Sequence, residues 1–99
     1  MRKLIIQSPA RRDIEQIWDY IAEHSIKGAN LLEEEIDATI RLPHGMPGIG
    51  HHRADVRDRT VLFHPVYPYI IAYQYDDSHV AVVRVLHSAR DFKRIFKRR

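Results

Sequence analysis

The residues best suited to chemistry are a histidine and a set of arginines in the second half of the chain. Arg84 and His87 stand in the stretch RVLHSARDF, and Arg53, Arg57 and Arg59 lie in an earlier stretch that follows several glycines and prolines. An unperturbed imidazole titrates near neutral pH and can act as acid or base, and arginines can hold a phosphate group. Together they could cleave RNA without a metal ion, by activating a 2′-hydroxyl and protonating the leaving group. The support is weak, because a small basic protein often carries arginines near a histidine.

Other chemistries find less support in the sequence. The chain has no cysteine, which excludes disulfides and thiolate metal sites. His51 and His52 are adjacent, a spacing that matches none of the usual zinc patterns. His87, Ser88 and Asp91 are too close in sequence to form a catalytic triad, and no G-x-S-x-G turn or phosphate-binding glycine loop is present. The sequence therefore predicts no metal and no cofactor.

The chain is basic, and its charge is unevenly distributed. Residues 1–50 carry six Lys or Arg against eight Asp or Glu, whereas residues 51–99 carry ten against five. The last ten residues, RDFKRIFKRR, hold six basic groups and one acid. Such a tail favours anionic partners, such as nucleic acid or an acidic protein surface. On this ground the chain could be a plain nucleic-acid-binding module, and a merely solvated terminus is the alternative.

Length and composition predict one globular domain covering residues 1–99. Hydrophobic residues make up 44% of the chain and charged residues 29%, so a thin core rather than disorder is expected. The apolar run at the N-terminus stops at Ser8, and no run is long enough for a signal peptide or a membrane span. Together with the lack of cysteine, this predicts a cytoplasmic protein without a membrane partner.

The first half of the chain predicts a strand followed by two helices. Residues 3–7, KLIIQ, form a short β-rich run, after which Ser8 fits a helix N-cap and Pro9 the first turn. Apolar residues at helical spacing continue to about His24: Ile14, Ile17, Trp18 and Ile21. After a break at residues 25–28 a second stripe follows: Ala29, Leu32, Ile36 and Ile40. The short break predicts an antiparallel helical hairpin.

The second half predicts a loop and three antiparallel strands. Residues 42–58 hold two prolines and three glycines, which indicates a long irregular loop. Strands are predicted at 60–66, 69–75 and 79–86, joined as a meander. Simple alternation puts Arg84 on the same face as Val82, with His87 opposite, unless a bulge or the strand end re-aims one of them. A short C-terminal helix is indicated by Phe92, Ile95 and Phe96. The whole is an α+β domain, β-α-α-β-β-β, with a helical hairpin on a small, mostly antiparallel sheet and a short basic tail.

Four segments in this order resemble the RelE/ParE superfamily of toxins from bacterial type II toxin–antitoxin systems. They are IIQSPARRDIEQIWDYIAE, MPGIGHHRADVRDR, YIIAYQY and VAVVRVLHSARD, and the resemblance runs from about Lys3 to Asp91. It implies the fold just described. It also implies one of two activities: cleavage of messenger RNA in the ribosome, or trapping of the cleaved-DNA complex of DNA gyrase.

Two features favour the ParE-like branch, whose members poison gyrase and are not enzymes. Ribosome-dependent nucleases of the superfamily typically place a tyrosine, or a histidine–tyrosine pair, near the end of the last strand, with several lysines around it. Here His87 is followed by Ser88, and residues 28–92 contain no lysine. The resemblance therefore implies a toxin of the plasmid-stabilisation type with no catalytic residues. The alternative is a RelE-type endoribonuclease, in which Arg59, Arg84 and His87 would be catalytic.

The resemblance further implies a partner, a ParD-like antitoxin that forms a hetero-oligomer with the toxin. Such antitoxins use a disordered segment that lays an amphipathic helix into an apolar groove. The residues expected to form the groove are Trp18, Ile21, Leu32, Ile36 and Tyr73. The arginines expected to meet acidic antitoxin residues are Arg53, Arg57, Arg59 and Arg84. The residues expected to contact gyrase are His87, Arg90, Lys93, Arg94 and Lys97. Plain core packing is the alternative for each apolar residue, and capping of the strand end is the alternative for His87.

Overall fold

Two helices pack on one face of a four-stranded sheet in the computed structural model, which describes residues 2–87 and Asp91. The elements in chain order are β1 (Lys3–Ile6), α1 (Ser8–Ala22), α2 (Ile26–Gly45), a short 3-10 turn (Pro47–Ile49), β2 (Leu62–Val66), β3 (Tyr69–Tyr75) and β4 (His79–His87). The order β-α-α-β-β-β and the α+β class are as predicted. The C-terminal helix predicted from Phe92, Ile95 and Phe96 lies outside the described residues. No helix in the described part of the chain combines the length and the apolar character needed to cross a membrane.

Helix α1 begins one residue earlier than the sequence predicts. Gln7 is the N-cap and makes no side-chain capping bond, and Ser8 is already helical. The Gln7 N–H still donates to the Val82 carbonyl of β4 at 3.0 Å, so the chain turns into the helix directly after the strand ladder ends. Pro9 lies in the first turn as predicted, where its missing N–H leaves no bond unmade.

Helix α2 is longer than predicted at both ends. Ser25 caps it by accepting the Gly28 N–H at 2.8 Å, so part of the predicted break is its first turn. At its other end the helix runs through Pro43 to Gly45, a stretch that the sequence assigned to a loop. A proline inside a helix removes one hydrogen bond and crowds the preceding turn. Pro43 and Ile40 are both buried, and this packing offsets the cost of the proline.

The sheet is mixed, with the strand order β1-β4-β3-β2. Strands β2, β3 and β4 form the predicted antiparallel meander, and β1 adds parallel to β4. The two helices supply the long crossover that a parallel pair requires. Pro65 lies in β2, which is an edge strand, so its missing N–H interrupts no central ladder.

One extra residue in β4 changes which of its side chains face the helices. The register between β3 and β4 shifts at Val83, which has no partner in the β3 ladder. Val85 and His87 therefore lie on the helix-facing side together with Val82, and Arg84 starts on the other side. The prediction that Arg84 shares a face with Val82 is wrong, because alternation in the sequence does not reveal a bulge. The prediction that Arg84 and His87 start on opposite faces holds.

The core has two parts, one on each face of the sheet. On the helix side the buried residues include Ile36, Ile40, Ile71, Val82 and Val85. On the other side, Val56 and Val61 of the segment 50–61 join a second cluster with residues of the sheet: Phe63, Ile70, Ala72 and Leu86. Because β3 is covered on both faces, it reads as a continuous apolar run rather than as an alternating pattern.

Candidate functional site

A clamp between α1 and β4 lies next to the end of the last strand. The Arg84 guanidinium donates to both carboxylate oxygens of Asp13, from Nε at 2.7 Å and from Nη2 at 2.9 Å. The same carboxylate accepts the Val85 N–H at 2.9 Å. Only 27% of the Arg84 side chain and 11% of the Asp13 side chain are exposed. The hydrogen bond from Arg84 to Asp13 raises the pKa of Arg84. A paired, charge-assisted contact of this kind commits Arg84 to Asp13.

The clamp exists because β1 is shorter than β4. β1 pairs with β4 only as far as Val82, so among the described residues no strand lies beside the edge of β4 beyond that point. Helix α1 starts directly after β1 and brings Asp13 to this edge, where its carboxylate takes the Val85 N–H. A side chain thus replaces the missing strand as hydrogen-bond acceptor.

His87 is the last residue of β4, and its ring packs against Tyr69. The two rings meet edge-on, with centroids 5.6 Å apart and planes at 86°. The His87 N–H donates to the Asp91 carboxylate at 3.4 Å, and the Asp91 N–H donates to the His87 carbonyl at 2.9 Å. A cavity of about 230 Å³ opens beside this turn, lined by Asp13, Gln16, Ile17, Tyr20, Tyr69, Val85 and Asp91. No lysine or arginine of the described residues lines this cavity, so it lacks the cations that would hold a phosphate.

The arginines of the segment 50–61 make contacts of their own. Arg53 forms an ion pair with Asp55, with Nε 3.2 Å from Oδ1. Arg59 donates from Nη1 to the Arg53 carbonyl at 3.0 Å. Arg57 and Arg59 are exposed. Arg53 and Arg59 therefore hold this segment together, while Arg57 and Arg59 also present charge to solvent.

Arg59 does not join His87 in one site. Thr60, the next residue, bonds the Gln74 side chain at 2.6 Å, whereas His87 pairs with Tyr69. Gln74 and Tyr69 lie five positions apart on β3, which corresponds to about 17 Å of strand. The structure therefore separates Arg59 from His87, one of the other two residues considered for RNA cleavage.

Tyr73 is a core residue in this structure. It is fully buried. Its hydroxyl donates to the Pro47 carbonyl at 2.6 Å and accepts the Gly50 N–H at 2.8 Å. Burial raises the pKa of Tyr73. The side chain fastens the turn after α2 to the sheet, and it offers no accessible surface to a partner.

Replacing Gly50 with alanine is expected to destabilise the fold by about 1–3 kcal/mol. A Cβ there would lie 2.5 Å from the Tyr73 hydroxyl oxygen and 2.8 Å from Cε1, and the Tyr73 ring is fully buried. Gly48→Ala is the matched control, because a Cβ at Gly48 meets nothing within 4 Å. Thermal unfolding of both variants measures the difference. Equal midpoints would show that the Tyr73 ring yields to the added methyl group.

A groove between α1 and α2 contains part of the expected antitoxin site. Trp18 is half-buried, and its Nε1 donates to the Asn30 side-chain oxygen at 3.0 Å. A cavity of about 280 Å³ lies here, lined by Ile14, Glu15, Trp18, Asp19, Asn30 and Glu33. Of the other residues expected in the groove, Ile21 and Leu32 are half-buried and Ile36 is buried in the core. The structure therefore leaves Trp18, Ile21 and Leu32 within reach of a partner.

The carboxylates that line this groove were not predicted from the sequence. Glu15 and Asp19 are four residues apart and so lie on one face of α1. Glu33 faces them from α2. The spacing of Glu15 and Asp19 was visible, but nothing in the sequence indicated that α2 would place a third carboxylate opposite them.

Four of the residues predicted to contact gyrase cannot be placed in the structure. Arg90, Lys93, Arg94 and Lys97 lie outside the described residues. Within residues 2–87 and Asp91, no three His, Asp or Glu side chains converge to hold a metal ion. Burial lowers the pKa of His64, whose Nδ1 has no hydrogen-bond partner among these residues. The His64 side chain therefore has a packing role in β2.

Comparison with known proteins identifies the family. A sequence model of the family described as "ParE toxin of type II toxin-antitoxin system, parDE" matches residues 4–92. The chain belongs to the ParE toxin family. It is a ParE-type toxin of a type II toxin–antitoxin system, which confirms the ParE-like assignment made from the sequence. A search of curated proteins finds no match.

The ParE assignment agrees with a solved structure. A chain of the "Chromosomal ParDE TA system from P. aeruginosa" superposes with a TM-score of 0.73 at 16% identity, over 88% of this chain and 96% of that chain. At this identity the likeness shows the fold alone. The hairpin packed on a four-stranded sheet is therefore a ParE-type architecture.

Proposed function

We propose that this ParE-family toxin inhibits DNA gyrase by trapping its cleaved-DNA complex, and that a ParD-like antitoxin neutralises it in a cytoplasmic hetero-oligomer. The observation that carries the proposal is the clamp between Arg84 and Asp13. Arg84 is the cation nearest in sequence to His87 within β4, and its charge is already paired. A toxin that acts by binding needs a recognition surface and no reactive site.

RNA cleavage at this end of the sheet meets a further obstacle. Scission of a phosphodiester requires cations that stabilise charge on the phosphate. The cavity beside His87 is lined by the carboxylates of Asp13 and Asp91. Among the described residues no lysine or arginine lines this cavity, and the Asp13 carboxylate is already paired with Arg84. Arg59 stands at the far end of β3. These charges favour recognition over catalysis.

The proposed antitoxin site combines the hairpin groove with exposed basic residues. Its apolar part consists of the accessible residues Trp18, Ile21 and Leu32. Arg53 and Arg84 are paired with aspartates of the same chain. Acidic antitoxin residues therefore have Arg57 and Arg59 as their exposed partners on the segment 50–61.

An assay with purified gyrase tests the proposal. Added to gyrase, relaxed plasmid and ATP, the purified toxin should stop supercoiling, and detergent with protease should then release linear DNA. Prior addition of the antitoxin encoded beside the toxin gene should restore supercoiling. In a translation extract the same toxin concentration should leave messenger RNA intact. Unimpaired supercoiling without cleaved DNA would refute the proposal, and messenger RNA cut within codons would replace it with the RelE-type activity.

A further inference from the structure

The turn between β2 and β3 carries an exposed aromatic ring. Tyr67 and Pro68 form this two-residue turn. Tyr67 is 85% exposed, more than any other large hydrophobic residue in the described part of the chain. Singly exposed apolar residues are common on protein surfaces. The position of the ring, rather than its exposure alone, therefore has to indicate its role.

The ring stands at the end of the sheet where the last strand finishes. Tyr69, which follows the turn, pairs with His87 at the end of β4. Since neighbouring strands lie about 4.8 Å apart, the turn at Tyr67 is within about 10 Å of that strand end. Asp91 lies at the same end, because its N–H donates to the His87 carbonyl at 2.9 Å. From there the chain continues into residues 92–99, FKRIFKRR, of which five are basic.

Two prolines restrain the backbone on either side of the ring. Pro65 lies two residues before Tyr67 in β2, and Pro68 follows it directly. A proline ring fixes its φ angle at about −65°, so the turn has little backbone freedom to lose when the aromatic ring is bound. The tyrosine side chain itself has only two torsions to order. The turn therefore presents the ring to a partner at a small entropic cost.

Charge distinguishes the two ends of the sheet. Residues 61–75, which include β2, β3 and the turn between them, contain no Asp, Glu, Lys or Arg. The turn at the other end, between β3 and β4, carries Asp76 and Asp77, both exposed. At the end with the exposed ring, the five cations of residues 92–99 outnumber the carboxylate of Asp91. An aromatic ring beside a cationic segment is the combination that binds nucleic acid through base stacking and phosphate contacts.

We infer that Tyr67 inserts at the cut in the gyrase-bound DNA and stacks on the adjacent base, while the basic residues after Asp91 hold the neighbouring phosphates. The inference rests on the proposed function, in which the toxin traps the cleaved-DNA complex. A cut removes the backbone link between two neighbouring base pairs, so they can separate and admit an aromatic ring. A ring between them opposes rejoining of the strand. A pocket on the gyrase protein is the less suitable occupant, because the cations beside the ring match a row of phosphates.

Cleavage of a short duplex with one strong gyrase cleavage position tests the inference. Tyr67→Ala should need at least about tenfold more toxin for the same yield of cleaved DNA, whereas Tyr67→Phe, which keeps the ring, should stay within about twofold of the unaltered toxin. Tyr75→Ala is the matched control, because it removes an exposed tyrosine from the other end of the sheet. It should also stay within about twofold. Antitoxin binding by Tyr67→Ala within about threefold of the unaltered toxin shows that the variant is folded.

A change in the DNA separates stacking on a base from a contact with the gyrase protein. A second duplex carries an abasic residue in place of the base beside the cut, and cleavage without toxin gives the baseline for each duplex. On the abasic duplex the unaltered toxin should lose about the same tenfold, and Tyr67→Ala should lose nothing further.

The outcomes separate the inference from the function beneath it. Equal poisoning by Tyr67→Ala and the unaltered toxin would overturn the inference and leave gyrase inhibition in place. A loss with Tyr67→Ala that is equally large on the intact and the abasic duplex would assign the ring to the gyrase protein and overturn the stacking. A loss with Tyr67→Phe as large as that with Tyr67→Ala would also overturn it. No cleaved DNA with the unaltered toxin on the intact duplex would overturn both the inference and the proposed function.

Discussion

Replacing Asp13 with alanine is expected to lower the free energy of unfolding by about 3 kcal/mol. The change leaves the Arg84 guanidinium, which is 27% exposed, without its carboxylate. It also removes the acceptor of the Val85 N–H. Both losses occur at the edge of β4 beyond β1, where the described chain supplies no neighbouring strand as a substitute. Urea denaturation followed by the fluorescence of Trp18, on the same helix, measures the effect.

Two further variants make this expectation specific. Asp19→Ala removes an exposed carboxylate from the same helix and should change stability by about 0.5 kcal/mol or less. The double variant Asp13→Leu, Arg84→Met removes both charges and should recover a large part of the loss, because removing a whole pair is milder than breaking it. If Asp13→Ala and Asp19→Ala were equally stable, the clamp would contribute nothing.

The fold could be predicted because its main signals are local. Helical spacing marks α1 from Ile14 to Ile21, and the run YIIAYQY marks β3. The short link between the helices then leaves few ways to arrange them on a sheet. The errors lie where packing outweighs local preference. Pro43 continues α2 because its ring is buried, and the bulge at Val83 follows from how β4 fits β3.

The candidate site was harder to predict, because its partners are distant in sequence. Arg84 and His87 were singled out correctly as residues at the end of the last strand. The aspartate that binds Arg84 lies 71 positions away, and no local pattern links the two. Tyr73 was expected in a groove and is buried, because its hydroxyl is held by Pro47 and Gly50 in the turn that follows α2. The sequence shows the residue types, but it does not show which residues distant in sequence lie next to one another in the fold.

Replacing the five basic residues of the segment 93–99 with glutamine is expected to reduce gyrase poisoning by about tenfold or more. The substitutions change the formal net charge of the toxin from +3 to −2. The hairpin already carries twice as many acids as basic residues, so the tail is the main cationic feature available to a DNA-bearing target. Contacts to phosphates weaken steeply with salt. Inhibition by the unaltered toxin should therefore fall as salt rises, and the glutamine variant should show a flatter dependence.

The same variant should bind the antitoxin within about threefold of the unaltered toxin, because the antitoxin site proposed above consists of the hairpin groove with Arg57 and Arg59 and includes no residue of the tail. A control toxin in which lysine and arginine are exchanged at the five positions keeps the charge and should keep the activity. Undiminished gyrase poisoning by the glutamine variant would move target recognition away from the tail, to the end of β4 at His87. Loss of antitoxin binding alone would instead place the tail within the antitoxin site. Measuring gyrase poisoning and antitoxin binding with one set of variants therefore decides how the surface is divided between the two partners.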